Sequence, residues 1–341
     1  YLDIQFDLSH VMFICTANVK SNIPRPLLDR MEIIDLPGYI LEEKVAIAER
    51  YLIKRQIEAH GLKPSQLRFS KGVLPKIING WTAEAGVRNL ERSIGRICRK
   101  VASKVASNDI KKETISQAKL QSYLGKRKVF KESLGRRPPV GTVVGLAWTP
   151  VGGEILRIET TRMPGAGRFQ ITGQLGDVMK ESVEIAISYI RHNHDKYGID
   201  PEIFKREDLH IHFPAGAVPK DGPSAGVTIT TAIISLLSGK KGIRPAAKLA
   251  MTGEMTLSGA VLPVGGIREK VLAAQYAGVQ TVILPDQNRR DVEEIPRHII
   301  KGLKFVFAKN YETVYDVALC NGTGQKPKKK KPAAKKKATK R

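Results

Sequence analysis

The sequence predicts an α/β body, with mixed strand order and so α+β in character, preceded by a helical bundle. Three observations carry that expectation. From Gly141 onward, short apolar runs alternate with amphipathic stretches, as strands interleaved with helices do. Between residues 37 and 125 the periodicity is helical instead. Residues 126–140, which include Arg136-Arg137-Pro138-Pro139, are polar and helix-breaking and set a linker between the two.

Residues 1–36 come first. Val11-Met12-Phe13-Ile14-Cys15 is a continuous apolar run of the buried-strand type, ending in Thr16-Ala17-Asn18. A single strand is not stable alone, so this run needs partner strands ahead of it or a surface to pack on. Residues 41–60 read as an amphipathic helix, with Glu42 and Glu43 early and Gly61 as the stop. Helices follow at 70–79, 83–107 and 116–124. In the second half, strands are expected at 142–148, 154–161 and 168–172, with Gly152-Gly153 and Pro164-Gly165 as turns. A helix at 178–197, a strand at 209–213 and a helix after Ser224 come next. The remainder reads as a strand at 248–252, a loop at 259–266, a helix at 267–277 and a strand at 281–284. A helix near Asp291, a strand at 305–308 and a helix at 311–320 close the folded part. No internal repeat stands out.

Of the 341 residues 42% are hydrophobic, enough for a substantial core, and no apolar run reaches the roughly 18–20 residues that span a bilayer. Residues 1–11 carry Asp3, Asp7 and His10 in place of a basic start and an apolar block, so no signal peptide is read there. Cys15, Cys98 and Cys320 are widely separated and show neither metal spacing nor a disulfide framework. Together these features predict a soluble protein of a reducing compartment with no metal site. Net charge is +24, but residues 326–341 hold ten of the 57 Lys/Arg and no Asp or Glu, which leaves +14 on the rest. Residues 323–341 read as a disordered basic tail. Such a tail binds DNA non-specifically through counterion release, or serves only solubility. It has no interleaved aromatics for stacking bases.

One stretch organises the second half. Pro219-Lys220-Asp221-Gly222-Pro223-Ser224-Ala225-Gly226 stands between the strand at 209–213 and an apolar run from Val227 to Leu237. Gly222-Pro223 imposes a sharp turn, since Gly accepts unusual dihedrals and Pro suits a helix start. Ser224 then lies near a helix N-terminus, where unpaired amides and the dipole favour a developing negative charge. A serine nucleophile with an oxyanion pocket needs that setting. The same residues also read as an ordinary N-cap before a core helix.

A serine nucleophile needs a base. The histidines are His10, His60, His192, His194, His210, His212 and His298, none in a Gly-x-Ser-x-Gly or other local triad context. His210 and His212 alternate on one strand face and read either as neighbours of the site or as structural histidines. Lys270 is the other candidate. It follows Gly265-Gly266 and starts a helix whose inner face is Ile267, Val271, Ala274 and Gly278, with Lys270 at the edge of that face and Leu272 and Tyr276 outside it. A lysine held against an apolar wall loses hydration, and its pKa can drop to about 5–6 in extreme cases. A neutral amine can take the hydroxyl proton of Ser224, as in Ser–Lys variants of the triad. Spacing alone also fits a surface lysine in the charged run Arg268-Glu269-Lys270.

The stretch at 219–226, then Met251-Thr252-Gly253-Glu254, then Leu262-Pro263-Val264-Gly265-Gly266-Ile267-Arg268-Glu269-Lys270, closely resembles the protease domain of the Lon family of ATP-dependent serine proteases. The resemblance runs back through Gly145-Leu146-Ala147-Trp148-Thr149 and Gly173-Gln174-Leu175-Gly176. It implies a Lon-type protease domain at 141–322 with Ser224 as nucleophile and Lys270 as its dyad partner. Thr252 is implied to steady the lysine, Asp221 to lie in a gating loop, and Ala225 to support the serine. It also implies that 37–125 form an AAA+ lid subdomain and 1–36 the end of the large ATPase subdomain. On that reading Asn18 matches sensor 1, Arg30 in Leu28-Asp29-Arg30-Met31-Glu32 the arginine finger, and Arg88 in Glu84-Ala85-Gly86-Val87-Arg88 sensor 2. A guanidinium fork suits the last two roles because it neutralises phosphate charge as it develops.

Two departures qualify this. No Gly-x-x-x-x-Gly-Lys-[Ser/Thr] run occurs in these 341 residues, and no strand ends in the acidic metal-binding pair. The chain therefore reads as part of a longer protein that uses ATP with Mg, while none is expected to bind tightly to these residues alone. Ala215 stands where many members of the family carry Glu. The family implies unfolded protein substrates, a hexameric ring of identical subunits and a bacterial cytoplasm, with an organelle matrix as the alternative. Two rival readings are a non-proteolytic Lon-like scaffold, which the joint presence of Ser224, Lys270 and Thr252 disfavours, and a DNA-binding module acting through the tail.

Overall fold

The computed structural model describes residues 7–17, 23–34, 36, 38–129, 137–149, 152–214, 220–239, 241–297 and 299–320. It divides into two compact units, residues 1–38 and 39–341.

In the first unit the described residues form a single short helix, α1 (Arg25–Leu28), entered through Pro24 and Pro26. The buried strand expected at Val11–Cys15 is not formed. Met12 and Ile14 are 85% and 81% exposed, and the segment is irregular. The reason is the missing ladder: among the described residues of this unit no second strand satisfies its amides. Arg30 is exposed in the turn after α1, where its amide donates to Leu27 O at 3.1 Å. Asn18 lies outside the described residues, as do Ala215, His298 and residues 321–341.

The second unit opens with a helical part. α2 (Leu41–Ile47) continues through a π-turn at Ala48–Leu52 into α3 (Ile53–Ala59), so the helix expected at 41–60 forms with one widened turn. β1 (Leu67–Phe69), α4 (Val73–Trp81), α5 (Arg88–Ala106), β2 (Glu113–Ile115) and α6 (Leu120–Leu124) follow. β1 and β2 pair in parallel, a two-stranded piece absent from the helical expectation. α5 buries Leu90, Ile94, Ile97, Cys98 and Val101, a stripe at helical spacing that packs on Ile57, Ile77 and Leu124.

The α/β part contains β3 (Thr142–Thr149), β4 (Gly152–Pro164), β5 (Phe169–Thr172), α7 (Asp177–His192), α8 (Ile203–Arg206) and β6 (Glu207–His212). After them come α9 (Gly226–Leu237), β7 (Leu249–Met251), β8 (Glu254–Met255), β9 (Val261–Leu262) and α10 (Ile267–Tyr276). β10 (Thr281–Pro285), α11 (Arg289–Glu293), β11 (Lys304–Ala308) and α12 (Tyr311–Tyr315) complete it. Seven strands make one mixed sheet in the order β11-β10-β7-β3-β4-β6-β5. β11, β10 and β7 run parallel, while β4 is antiparallel to both β3 and β6.

Alternation along the strands sends residues to two faces. Val143, Leu156, Ile158, Met251 and Ile283 join α7, α9 and α12 in one core. Val144, Leu146, Ala250, Val282 and Leu284 join α10 and α11 in the other. The helix behind Ser224 and the helix carrying Lys270 therefore lie on opposite faces of the sheet. They can meet only beyond a strand end.

Candidate active site

That strand end is the carboxyl end of β7. Thr252 is the next residue, 1% exposed, and its amide is tied to β10 by a bond to Ile283 O at 3.1 Å. Its hydroxyl donates to Ser224 O at 3.0 Å, and the Gly253 amide donates to the same carbonyl at 2.9 Å. Two donors on one carbonyl fix the serine's backbone against β7. From the other face, Lys270 Nζ donates to Thr252 Oγ1 at 3.2 Å. Thr252 thus bridges the two helices, and the carboxyl end of parallel strands is where open α/β sheets place their sites.

Ser224 lies in a 3-10 turn, Pro223–Ala225, that leads into α9. Gly222 ahead of it has φ 114°, a conformation that costs glycine little and other residues much. Helix α9 is buried along nearly its whole length, with Gly226 close enough to β8 that an added Cβ would lie 2.9 Å from the Met255 amide. The helix's own first amides are engaged: Gly226 N donates to Pro223 O and Val227 N to Gly253 O at 3.2 Å. The expectation that the first amides of the helix face a developing oxyanion is therefore corrected. Among the described residues, the Ser224 hydroxyl makes no hydrogen bond.

Lys270 is not at the edge of its helix's apolar face but within it. It is 2% exposed and buried together with Ile267, Val271, Ala273 and Ala274. Desolvation lowers its amine from 10.5 to about 8. The charged neighbours Arg268 and Glu269, which made a surface lysine plausible, point elsewhere. Three features seat this helix. Gly266, at φ 68°, provides the left-handed entry. Asn288 is buried, receives the Val264 amide and donates to Val264 O, both at 3.0 Å. Gly153 at the start of β4 lies so close that a Cβ there would be 1.9 Å from Glu269 O. Asn288 carries no signal in the sequence, and Gly152-Gly153, expected as a turn, instead begins β4 against this helix.

Asp221 supports the loop from the other side. Its Oδ1 accepts from the Met179 amide at 3.0 Å, in the first turn of α7, and from the Gly222 amide at 2.8 Å. A carboxylate at that end also suits the helix dipole. Gly176 allows the approach, since a Cβ there would lie 2.2 Å from the Asp221 carboxyl carbon. Ala225 is 2% exposed and packs in the core under α9. His210 and His212 are brought to Thr172 instead of the serine: Thr172 Oγ1 lies 2.8 Å from His210 Nε2 and 2.7 Å from His212 Nδ1. They are structural here. Arg88 is exposed at the start of α5 and lines a cleft with Gln56, Arg92 and Arg99, away from the Ser224–Thr252–Lys270 group. Among the described residues no group of three or more His, Cys, Asp or Glu could hold a metal ion, and no helix is long and apolar enough to cross a membrane.

Residues 114–321, more than half of the chain, match the Lon protease (S16) C-terminal proteolytic domain. The chain belongs to the Lon protease family. Residues 58–114 match the Lon protease AAA+ ATPase lid domain, in the stretch that carries α5. The chain is 52% identical over 319 residues to a Lon protease of Syntrophus aciditrophicus (strain SB), covering 94% of the chain and 40% of that protein. Over 331 residues it is 53% identical to a Lon protease of Anaeromyxobacter dehalogenans (strain 2CP-C), covering 96% of the chain and 39% of that protein. A Lon protease of Desulfosudis oleivorans matches all of it at 52% identity over 340 residues, 41% of its own length. The chain thus spans about two fifths of the length of the Lon relatives it matches. Its S16 domain is of a serine peptidase, hydrolase type.

Proposed function

We propose that this chain carries the peptidase centre of an ATP-dependent endopeptidase acting on unfolded or damaged protein through a Ser224–Lys270 dyad. One observation carries the reading: a fully buried amine bonded to a hydroxyl that also holds the serine's own carbonyl. Lys270 in its neutral form takes the proton of the Ser224 hydroxyl as the oxygen attacks a peptide carbonyl. The tetrahedral intermediate collapses to an acyl-serine, and the lysine ammonium returns the proton to the departing amine. Water then repeats the sequence in reverse, with Lys270 again the base. Donors to the oxyanion come from the turn at Ser224 and Ala225, since the first amides of α9 are engaged. Asp221 sets the shape of the loop that carries the serine.

At pH 7 an amine of pKa about 8 is neutral in about one molecule in eleven, against roughly one in 3,000 for an unshifted lysine. The rate at which a fluorophosphonate phosphonylates Ser224, displacing fluoride, should therefore rise with pH to a plateau with its midpoint near 8. Ser224→Ala should abolish it and Lys270→Ala should reduce it to background. Equal labelling of Ser224→Ala and the parent chain defeats the assignment.

The remaining parts of the reading concern the longer protein. It uses ATP with Mg, assembles as a ring of six identical subunits and works in a bacterial cytoplasm. Arg88, Arg92 and Arg99, which line a cleft on α5 together with Glu91, are the cationic groups assigned to phosphate on this reading. Arg30 and Asn18 are assigned the neighbouring-subunit and polarising roles. No phosphate-cradling glycine loop is among the 341 residues, so nucleotide is not expected to bind tightly to them alone. The Lys-rich tail adds non-specific affinity for DNA, lost when residues 326–341 are deleted.

A further inference from the structure

The helix that carries Lys270 is held at both ends by the first turn of one other helix. At its far end the Tyr276 hydroxyl accepts from the Leu41 amide at 2.8 Å and hydrogen-bonds the Glu42 carboxylate. At its near end Arg268 faces Glu43 at 3.7 Å. Between them Ile40, 2% exposed, belongs to the same apolar cluster as Ile267, Val271 and Ala274. These partners come from opposite ends of the chain, since Leu41 and Tyr276 are 235 positions apart. The same turn is rigid in itself: Glu43 Oε2 accepts from the Ile40 amide at 2.9 Å. Leu41 and Val45 meanwhile pack on the helical core. α2 is therefore shared by the helical core and the α10 face of the sheet.

We propose that the first turn of α2, through Leu41, Glu42 and Glu43, is a positioning element that sets α10 over Thr252 and so fixes whether the Lys270 amine reaches that hydroxyl. The Nζ–Oγ1 separation of 3.2 Å is already at the long end for such a bond. A withdrawal of α10 by about half an ångström is enough to break it. Tyr276 is the stronger of the two ties. The residue is 37% exposed, yet partial desolvation pushes the phenol up to about 12, so it stays protonated and can accept from Leu41 and donate at once. The Arg268–Glu43 contact is partly exposed and contributes mainly orientation. A change in the helical part that tilts α2 is transmitted to the amine through these ties with no contact to Ser224.

The consequence for catalysis rests on Lys270 being the base, but the placement of the amine can be read without it. Competitive acetylation of Lys270 across pH, followed by mass spectrometry of the peptide, reports the amine whether or not Ser224 is acylated. In the 341-residue chain the midpoint should be near 8. In Tyr276→Phe, and further in Tyr276→Phe with Glu43→Gln, it should move toward the ordinary 10.5 as water reaches the amine. A rise of one unit lowers the neutral fraction at pH 8 about five-fold, and acylation of Ser224 should fall in step. A midpoint unchanged in both variants overturns the proposal, whatever happens to the melting temperature. A parent chain that is never acylated defeats the dyad reading instead, while a shifted midpoint in the variants still upholds the positioning role.

Discussion

The lowered amine of Lys270 has a thermodynamic consequence that needs no substrate. Burial holds the folded-state pKa near 8, whereas the unfolded chain returns it to 10.5. Between those values the unfolded state carries a proton that the folded state has released, so stability rises with pH across that window. Below about pH 8 both states are protonated and the full cost of a buried ammonium is present. A difference of 2.5 units corresponds to about 3 kcal/mol, the amount by which Lys270 disfavours folding at neutral pH relative to pH above 10.5. Lys270→Met keeps the length of the side chain and removes the charge. The stability of this variant relative to the parent, from urea unfolding at a series of pH values, cancels the titration of every other group. Lys270→Met should gain most at pH 7, and the gain should shrink by about 3 kcal/mol between pH 7 and 11. A difference that is flat with pH would show that the amine is solvated, and the account of Lys270 as a ready base would fail with it.

Three further outcomes follow from the geometry. Thr252→Val removes the acceptor for Lys270 and one of two donors to Ser224 O, at a cost of about 1–3 kcal/mol. Single-turnover acylation should fall about ten-fold or more, with the chain still folded by circular dichroism. Gly153→Ala puts a methyl against the Glu269 carbonyl, which as backbone cannot rotate away. Thermal unfolding should show a loss of about 1–3 kcal/mol, and acylation should slow because the helix bearing Lys270 must shift. Asp221→Ala removes the acceptor for the Met179 amide at the start of α7 and for the Gly222 amide beside Ser224. Stability should drop by about 1 kcal/mol, read from urea denaturation, and the acylation rate should drop with it because Gly222 loses its anchor.

The elements that bury one face or one stripe were legible in the sequence. The strands at 142–148, 154–161 and 281–284, and the helices behind Ser224 and around Lys270, form where the apolar periodicity put them. Local pattern fixes such elements because each side chain's environment repeats every two or 3.6 residues. Three things were not legible, each for a physical reason. The apolar run at Val11–Cys15 has strand composition but finds no strand partner among the described residues of its unit, and composition cannot supply one. The short parallel pair β1–β2 joins segments too brief to show a period. The depth of Lys270 was hidden by its charged neighbours, because a helix of ten residues turns Arg268 and Glu269 away while keeping Lys270 inside. Tyr276, read as lying outside the apolar face, does lie at its margin. There it meets Leu41, a partner that no local pattern could name.

Donor accounting at Thr252 ties the stability cost to the chemistry. The threonine hydroxyl has one proton, and it is committed to Ser224 O. Toward Lys270 it can therefore only accept, so the amine must spend an N–H on it. A neutral amine that donates one N–H keeps its lone pair free, and that lone pair is what a serine proton requires. Were the threonine proton free to turn toward the lysine, it would occupy the lone pair and the amine would be blocked. The bond that holds the serine's carbonyl thus also keeps the base open. On the dyad reading a hydroxyl suits position 252 better than a carboxylate, which would raise the lysine pKa and keep it charged. Thr252→Ser should accordingly retain most of the acylation rate, while Thr252→Asp should lose it below about pH 10, because the added negative charge holds Lys270 protonated.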